Sequence, residues 1–381
     1  MPGPLAGIKV LELEAIGPGP FAGMLLADMG ADVLVLDRPE ASDLGLKRER
    51  WYDVLMRGKR SVTLDLKGKN GPEVTLQLIE HADALIEGFR PGVMERLGLG
   101  PEAALARNPK LVYGRMTGWG QDGPLAARAG HDLNYIALAG VLHAFGRRGE
   151  PPVPPLNLVG DFGGGGMLLG FGIACALLEA GRSGKGQVVD AAMVEGASLL
   201  AAMFSGFLAS NTWSEERGVN VLDTGAPWYD VYETKDSKYV SVAAIEARFY
   251  DALLGKLGLK DLPQHDRARW PQMRELFQQK LKEKTRNEWC EVFEGSDACF
   301  APVLTFSEAR EHPHNRARKA FLEVAGVEQP APAPRFSRTP GAVRRAPPER
   351  GEGGAAALAD WGFSAAEVEG LRSRGLGYEE K

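Results

Sequence analysis

The feature that most constrains this chain is the rhythm of its first 120 residues. Short apolar runs of strand length recur, each separated from the next by a stretch of helical length. The runs are IKVLELE (8–14), ADVLVLD (31–37), SVTLDL (61–66), ALIEGF (84–89) and LVYGRMTGW (111–119), with helices expected at 20–30, 72–82, 91–97 and 101–107. Strands that alternate with helices build βαβ units and a parallel sheet. Parallel sheets bind ligands outside the carboxyl ends of their strands. The residues that follow each run are therefore the first candidates for function.

A loop is expected at 120–130, with a helix from His131. The Pro-rich stretch 151–158 leads into GDFGGGGM (160–167) and an apolar helix, followed by a strand at 186–193 and a second apolar helix. Beyond about residue 220 the pattern changes. Runs at 229–234 and 238–244, separated by Lys235, Asp236 and Ser237, read as a hairpin. Helices at 246–258, 271–283 and 286–293, a strand at 299–306, a Pro-rich linker at 329–341 and a short helix at 365–373 complete the reading. A chain of 381 residues fits about two domains.

Composition removes several classes. Lys and Arg number 45 against 50 Asp and Glu, a net charge of −5, which argues against a nonspecific nucleic-acid binder. Three cysteines, Cys175, Cys290 and Cys299, are too few for a disulfide framework, and neither CxxC nor HExxH occurs. A reducing compartment and no structural metal are expected. The amino terminus shows no signal-peptide pattern and the carboxyl terminus no SKL-like tripeptide, so a cytoplasmic location is expected. Two long uncharged stretches, 162–178 and 196–214, are rich in Gly, Ala and Ser and read as buried helices rather than membrane spans. If they are buried all round, a subunit interface covers one side.

Gly17, Gly19 and Gly23, with Asp37 ending the second run, look like a dinucleotide fingerprint. The spacing is GxGxxxG, however, and Pro18 and Pro20 remove N–H donors that would cradle a pyrophosphate. A tight turn opening a helix is the better reading. GRSGKG (181–186) misses the P-loop spacing. Arg38, Lys59, Arg60, Lys67, Arg90 and Arg96 fall near expected strand ends and, as a set, suit a polyphosphate-like anion. Three acid–base candidates stand out. His131 opens a helix after a glycine. Asp161 precedes Gly163–Gly166, which are expected to leave a helix N-terminus bare for an oxyanion. Glu246 follows an apolar strand. Each has a plain alternative: a hydrogen-bonded structural His, an N-cap Asp, a first-turn Glu. Pattern alone ends at an α/β protein with a polyphosphate-like ligand and two or three acid–base candidates.

The motifs GKRSVTLDLK (58–67), LIEGFRPGVMERLGLG (85–100), GHDLNY (130–135), NLVGDFGGGGM (157–167) and GKGQVVDAAMVEG (184–196), joined by GAPWYDVYE (225–233), SDAC (296–299) and PAPRFSRTP (332–340), resemble the family III CoA-transferases over nearly the whole chain. The resemblance implies an α/β fold with a Rossmann-like large domain and a smaller α+β domain in an interlocked homodimer. On that plan residues 1–200 form the large domain, 201–224 a linker, 225–315 the small domain and 316–345 a second linker, with 346–381 returning to the large domain. CoA would lie on Arg38, on Leu64, Asp65, Leu66 and Lys67, on Gly88, Phe89 and Arg90, on Arg96, and on Gly130, His131, Asp132, Leu133, Asn134 and Tyr135.

Transferases of the family use the Asp matching Asp161 as a nucleophile, through an aspartyl–CoA anhydride. Its racemases carry a His before the Asp matching Asp132, where transferases commonly have Tyr. This chain has His131, so the resemblance implies a racemase acting on 2-methyl-branched acyl-CoA. His131, supported by Glu246 from the partner chain, would serve one face of the substrate and Asp161 the other, with helix N–H groups at Asp161 and the glycines holding the enolate oxygen. Met167, Met193 and Met203 could wall the acyl chain. No separate cofactor is implied, since CoA is part of the substrate, and neither nucleic acid nor membrane is an expected partner. The alternatives are a CoA-transferase and an acyl-CoA binder without turnover.

Overall fold

The first apolar runs are buried on both faces, as strands in the middle of a parallel sheet must be. In the computed structural model, which describes residues 3–41 and 48–379, β1 (Lys9–Leu13), β2 (Asp32–Asp37), β3 (Arg60–Thr63), β4 (Ala84–Glu87), β5 (Val112–Thr117) and β6 (Gln187–Ala192) form one sheet. Every neighbouring pair is parallel and the order is β3-β2-β1-β4-β5-β6. Alternate residues sort to opposite sides. Leu11, Leu13, Leu34, Leu36 and Tyr113 pack under α2 (Gly71–Glu80), α3 (Val93–Arg96) and α4 (Pro101–Arg107). Val10, Val33, Ile86 and Val112 pack under α1 (Pro18–Asp28). Each such aliphatic side chain contributes about 1.5–3 kcal/mol by leaving water.

α5 (Asp132–Leu138) follows β5. A helix of unusually wide turns, a π-helix, spans Leu158–Met167 and continues as α7 (Leu168–Ser183), which joins α1 on the second face of the sheet; α8 (Met193–Leu200) follows β6. Residues 319–381 belong to the same compact unit. They contribute the hairpin of β10 (Phe321–Val324) and β11 (Val327–Pro330), which the sequence reading did not anticipate, then α15 (Gly354–Asp360) and α16 (Ala365–Ser373). Ser61 bridges Gly353 and Thr63 bridges Gly377, so the closing segment lies along the free edge of β3.

Residues 140–155 and 201–318 form a second compact unit, wider than the span 225–315. It holds α6 (Val141–Ala144), α9 (Ala202–Ala209), the antiparallel sheet β7 (Tyr229–Glu233), β8 (Tyr239–Ala243) and β9 (Phe300–Pro302), and helices α10 (Ala247–Leu257), α11 (Trp270–Leu281), α12 (Arg286–Phe293), α13 (Phe306–Glu311) and α14 (Pro313–Ala317). Its core is aromatic, with Trp228, Tyr232, Trp270, Phe277 and Trp289 buried. The indole N–H groups of Trp228 and Trp270 both donate to the carbonyl of Gln264.

Two expectations need correction. The stretches 162–178 and 196–214 are helical but not buried all round. Phe171, Leu178, Leu199, Leu200 and Met203 are exposed, because the helical period turns one stripe of each helix away from its own unit. The run Leu158–Ser183 has the length and composition to cross a membrane, and 39% of its most apolar window is buried. Lys59 and Arg60, in turn, do not sit at a carboxyl end. β3 begins at Arg60, so both stand at the amino end of that strand, and both are buried in ion pairs: Lys59 with Glu12, Arg60 with Asp32 and Asp360. They have no charge to spare for a ligand.

Candidate active site

The strand order reverses between β1 and β4, and it is there that the chain leaves a crevice. A cavity of about 450 Å³ opens outside the carboxyl ends of β1, β4 and β5. Its floor comes from the turns after those strands: Gly17 and Pro18, Gly88 to Pro91, and Thr117 to Trp119. His131 and Tyr135 of the α5 segment, Asp161 of the π-helix and Met193 complete the wall.

His131 stands at the open end of α5. It is exposed, in extended backbone, and its N–H donates to Oδ1 of Asn134 at 3.1 Å. The start of a helix leaves N–H groups without intrahelical acceptors; here those include Asp132 and Leu133. One turn on, the Tyr135 hydroxyl donates to the Gly130 carbonyl and its ring meets Trp119 edge-on at 4.7 Å.

Asp161 is held quite differently. The four glycines after it do not open a helix N-terminus as expected; they lie inside a helix that already began at Leu158. Their role is close approach. A Cβ on Gly164 would lie 2.6 Å from the backbone nitrogen of Ala197 on α8, and one on Gly166 would lie 2.6 Å from the carbonyl of Pro18 on α1. The π-helix is thus wedged between two helices at backbone contact distance. Asn157 donates its amide to Oδ2 of Asp161 at 3.0 Å, and the Asp161 N–H donates to Oδ1 of Asp132 at 2.7 Å. That N–H is therefore committed and does not face an enolate. Gly17, at φ 68°, passes over the carboxyl where a Cβ would sit 3.4 Å from Oδ2.

Burial is the largest influence on Asp161 and raises its pKa above the usual carboxylate range. The hydrogen bond from Asn157 opposes this, the charge of Asp132 adds to it, and His131 opposes it. Desolvation thus outweighs the local donors. Burial, followed by the charge of Asp161, pushes the Tyr135 hydroxyl up to about 12 against the opposing charge of Arg90. Oδ2 of Asp132 is buried without a hydrogen-bond partner.

The loops at the rim are tied down by carboxylates. Glu87, at the end of β4, accepts from the Phe89 N–H at 2.7 Å and from Nε of Arg115 at 2.9 Å. Burial pushes Glu87 up to about 7. Glu14 accepts from the Arg38 N–H at 2.8 Å and from Arg350.

Of the residues marked from sequence, Arg38, Gly88, Phe89, Arg90, Gly130, His131, Tyr135 and Asp161 line this one cavity. Asp132 reaches it through Asp161. Leu64, Asp65, Leu66, Lys67, Arg96, Leu133 and Asn134 lie outside its lining. Glu246 belongs to the second unit, exposed at the N-cap of α10. Met193 is on the wall beside Met116, whereas Met167 and Met203 are exposed, Met203 on the second unit. Sequence reading missed Arg128, Trp119 and Asn157. Only Asn157 carried a signal, its four-residue spacing from Asp161 on a helical run.

Comparison with known proteins identifies the family of the chain. Two curated relatives are named α-methylacyl-CoA racemase. The mouse protein is 47% identical over 374 residues, covering 97% of this chain and 96% of its own. The human protein is 46% identical over 376 residues, again covering 97% and 96%. A crystal structure of a CAIB/BAIF family protein from Brucella suis superimposes with a TM-score of 0.81 at 28% identity, covering 95% of this chain and all of that one. The family model for CoA-transferase family III matches residues 5–353, and the chain belongs to that family.

Proposed function

We propose that the chain interconverts the (2R) and (2S) forms of a 2-methyl-branched acyl-CoA by removing the α-proton from one face and delivering a proton to the other. The observation that carries this reading is the meeting, on one cavity, of an imidazole and a carboxyl delivered by separate elements, the carboxyl shifted by burial toward its protonated form. The α-hydrogen of a thioester is weakly acidic, and its removal needs a positioned base. In one direction His131 takes the proton and Asp161, as the acid, gives one to the opposite face of the enolate. The substrate loses one proton and gains one, and the enzyme is left with His131 protonated and Asp161 ionised; that state runs the reaction in the other direction, and proton exchange with water restores the first.

The relatives' names support the substrate class. Arg38, Arg90 and Arg128 on the cavity rim supply cations for CoA phosphates. A second copy of the chain would cover the apolar stripe of Phe171, Leu178, Leu199 and Leu200 and bring its Glu246 to His131, where a carboxylate fixes the imidazole tautomer.

Incubation of one pure epimer in D2O tests the reading. Deuterium uptake at the α-carbon with loss of stereochemical purity is expected. Retained hydrogen and a trapped acyl or CoA adduct on Asp161 would instead identify a transferase.

A further inference from the structure

Glu12 lies in the middle of β1, among residues that pack against α1 and the sheet. Lys59, just before β3, reaches it. Both are fully buried. The ammonium donates to the two carboxylate oxygens at 2.7 Å each and to the carbonyl of Pro20 at 2.9 Å, which uses all three of its protons. Gly23 of α1 makes the room, since a Cβ there would collide with the carboxylate and lie 3.0 Å from Nζ. A buried ion pair is weak evidence for stability, because an apolar pair of similar volume often holds a fold as well or better. The geometry points elsewhere. The first turn of α1 contains two prolines and so lacks two N–H donors, and Lys59 pins its carbonyl to the sheet.

That turn is the wall on which the Asp161 helix is built. The Pro18 carbonyl meets Gly166, the Phe21 ring meets that of Phe162 at 4.8 Å, and Gly17 covers the Asp161 carboxyl. Neither Glu12 nor Lys59 lines the cavity. We propose that Glu12 and Lys59 are a positioning pair for Asp161, fixing the first turn of α1 and through it the aim of the carboxyl at the substrate. This rests on the two-base racemase reading.

The test uses the full chain, with each pure epimer of a 2-methylacyl-CoA in D2O, scoring deuterium uptake with inversion and with retention separately. In Lys59→Met and in the double variant Glu12→Gln/Lys59→Met, inversion should fall about 10²-fold, the cost of a misplacement near 1 Å, with KM unchanged within about two-fold. Uptake with retention from the epimer whose hydrogen faces His131 should persist, because that flank is untouched. Inversion and retention falling together, in step with the folded fraction, would overturn the proposal, as would unchanged inversion. If the Lys59 variants do not fold, Gly23→Ala presses on the same carboxylate while keeping both charges, and the same split is expected. Wild-type protein that exchanges neither epimer refutes the racemase reading, and the proposal goes with it.

Discussion

The start of α5 and the π-helix make an instructive pair, because they deliver the two candidate acid–base groups by opposite means. His131 sits at the exposed end of a short helix, held through its backbone, whose N–H donates to Oδ1 of Asn134 and whose carbonyl accepts from the Asn134 N–H. Asp161 is locked into a helix squeezed between α1 and α8, with its side chain and its N–H both engaged. An exposed imidazole has open contact with the water that exchanges its proton. A carboxyl must be desolvated to be an acid near neutral pH, and a desolvated carboxyl needs a rigid wall. The difference teaches that equal roles in a symmetrical reaction do not require equal surroundings; each group gets the environment its chemistry lacks.

The largest effect expected from breaking this comparison is loss of either flank. His131→Ala and Asp161→Ala should each lower epimer interconversion by about 10²–10⁴-fold, measured by chiral analysis of the product. Interconversion by His131→Ala at the wild-type rate would remove the two-base assignment. Next comes the wall. Gly164→Val drives a side chain into the Ala197 backbone and should cost roughly 1–3 kcal/mol or more in a denaturant melt, while an added methyl at the exposed Leu133 position should not register. Asn157→Leu is a finer probe. Removing the donor that holds the Asp161 pKa down should move the basic limb of the pH–rate profile upward, with a rate loss of about ten-fold, near the low end for a positioning hydrogen bond. A limb that moves down would contradict the burial argument.

The smallest expected effect concerns the rim. Glu87 titrates at about 7 in the fold against an ordinary 4.5. Between those values the folded chain holds a proton that the unfolded chain has released, so stability contributed by this group is present at low pH and is lost as pH rises through 7. Glu87→Gln should flatten the fall in Tm between about pH 5 and 7.

Much of this was legible in the sequence because it is written locally. Short apolar runs and the turns between them define the strands, and the hairpin at Lys235–Ser237 is flanked by the two strands it joins. His131 and Asp161 were recognisable from the motifs around them. What escaped depends on distant partners. Nothing near Lys59 says that Glu12, 47 residues away, will consume its charge. The glycine run after Asp161 reads as an opening, yet it is a contact surface whose mates, Ala197 and Pro18, lie far along the chain. The lone stripe of α7 and α8 is invisible to periodicity, which tells how apolar a helix is but not what stands opposite.

The seam along β3 has a consequence for how the molecule comes into being. That strand is complete by residue 63, whereas the backbone groups that satisfy its outer edge belong to Glu352, Gly353 and Gly377. A chain emerging from the ribosome therefore carries a raw strand margin for almost its whole length, open to pairing with the wrong neighbour. Shortening the chain near residue 350 would make that transient exposure permanent, and aggregation rather than lost chemistry would be its first symptom.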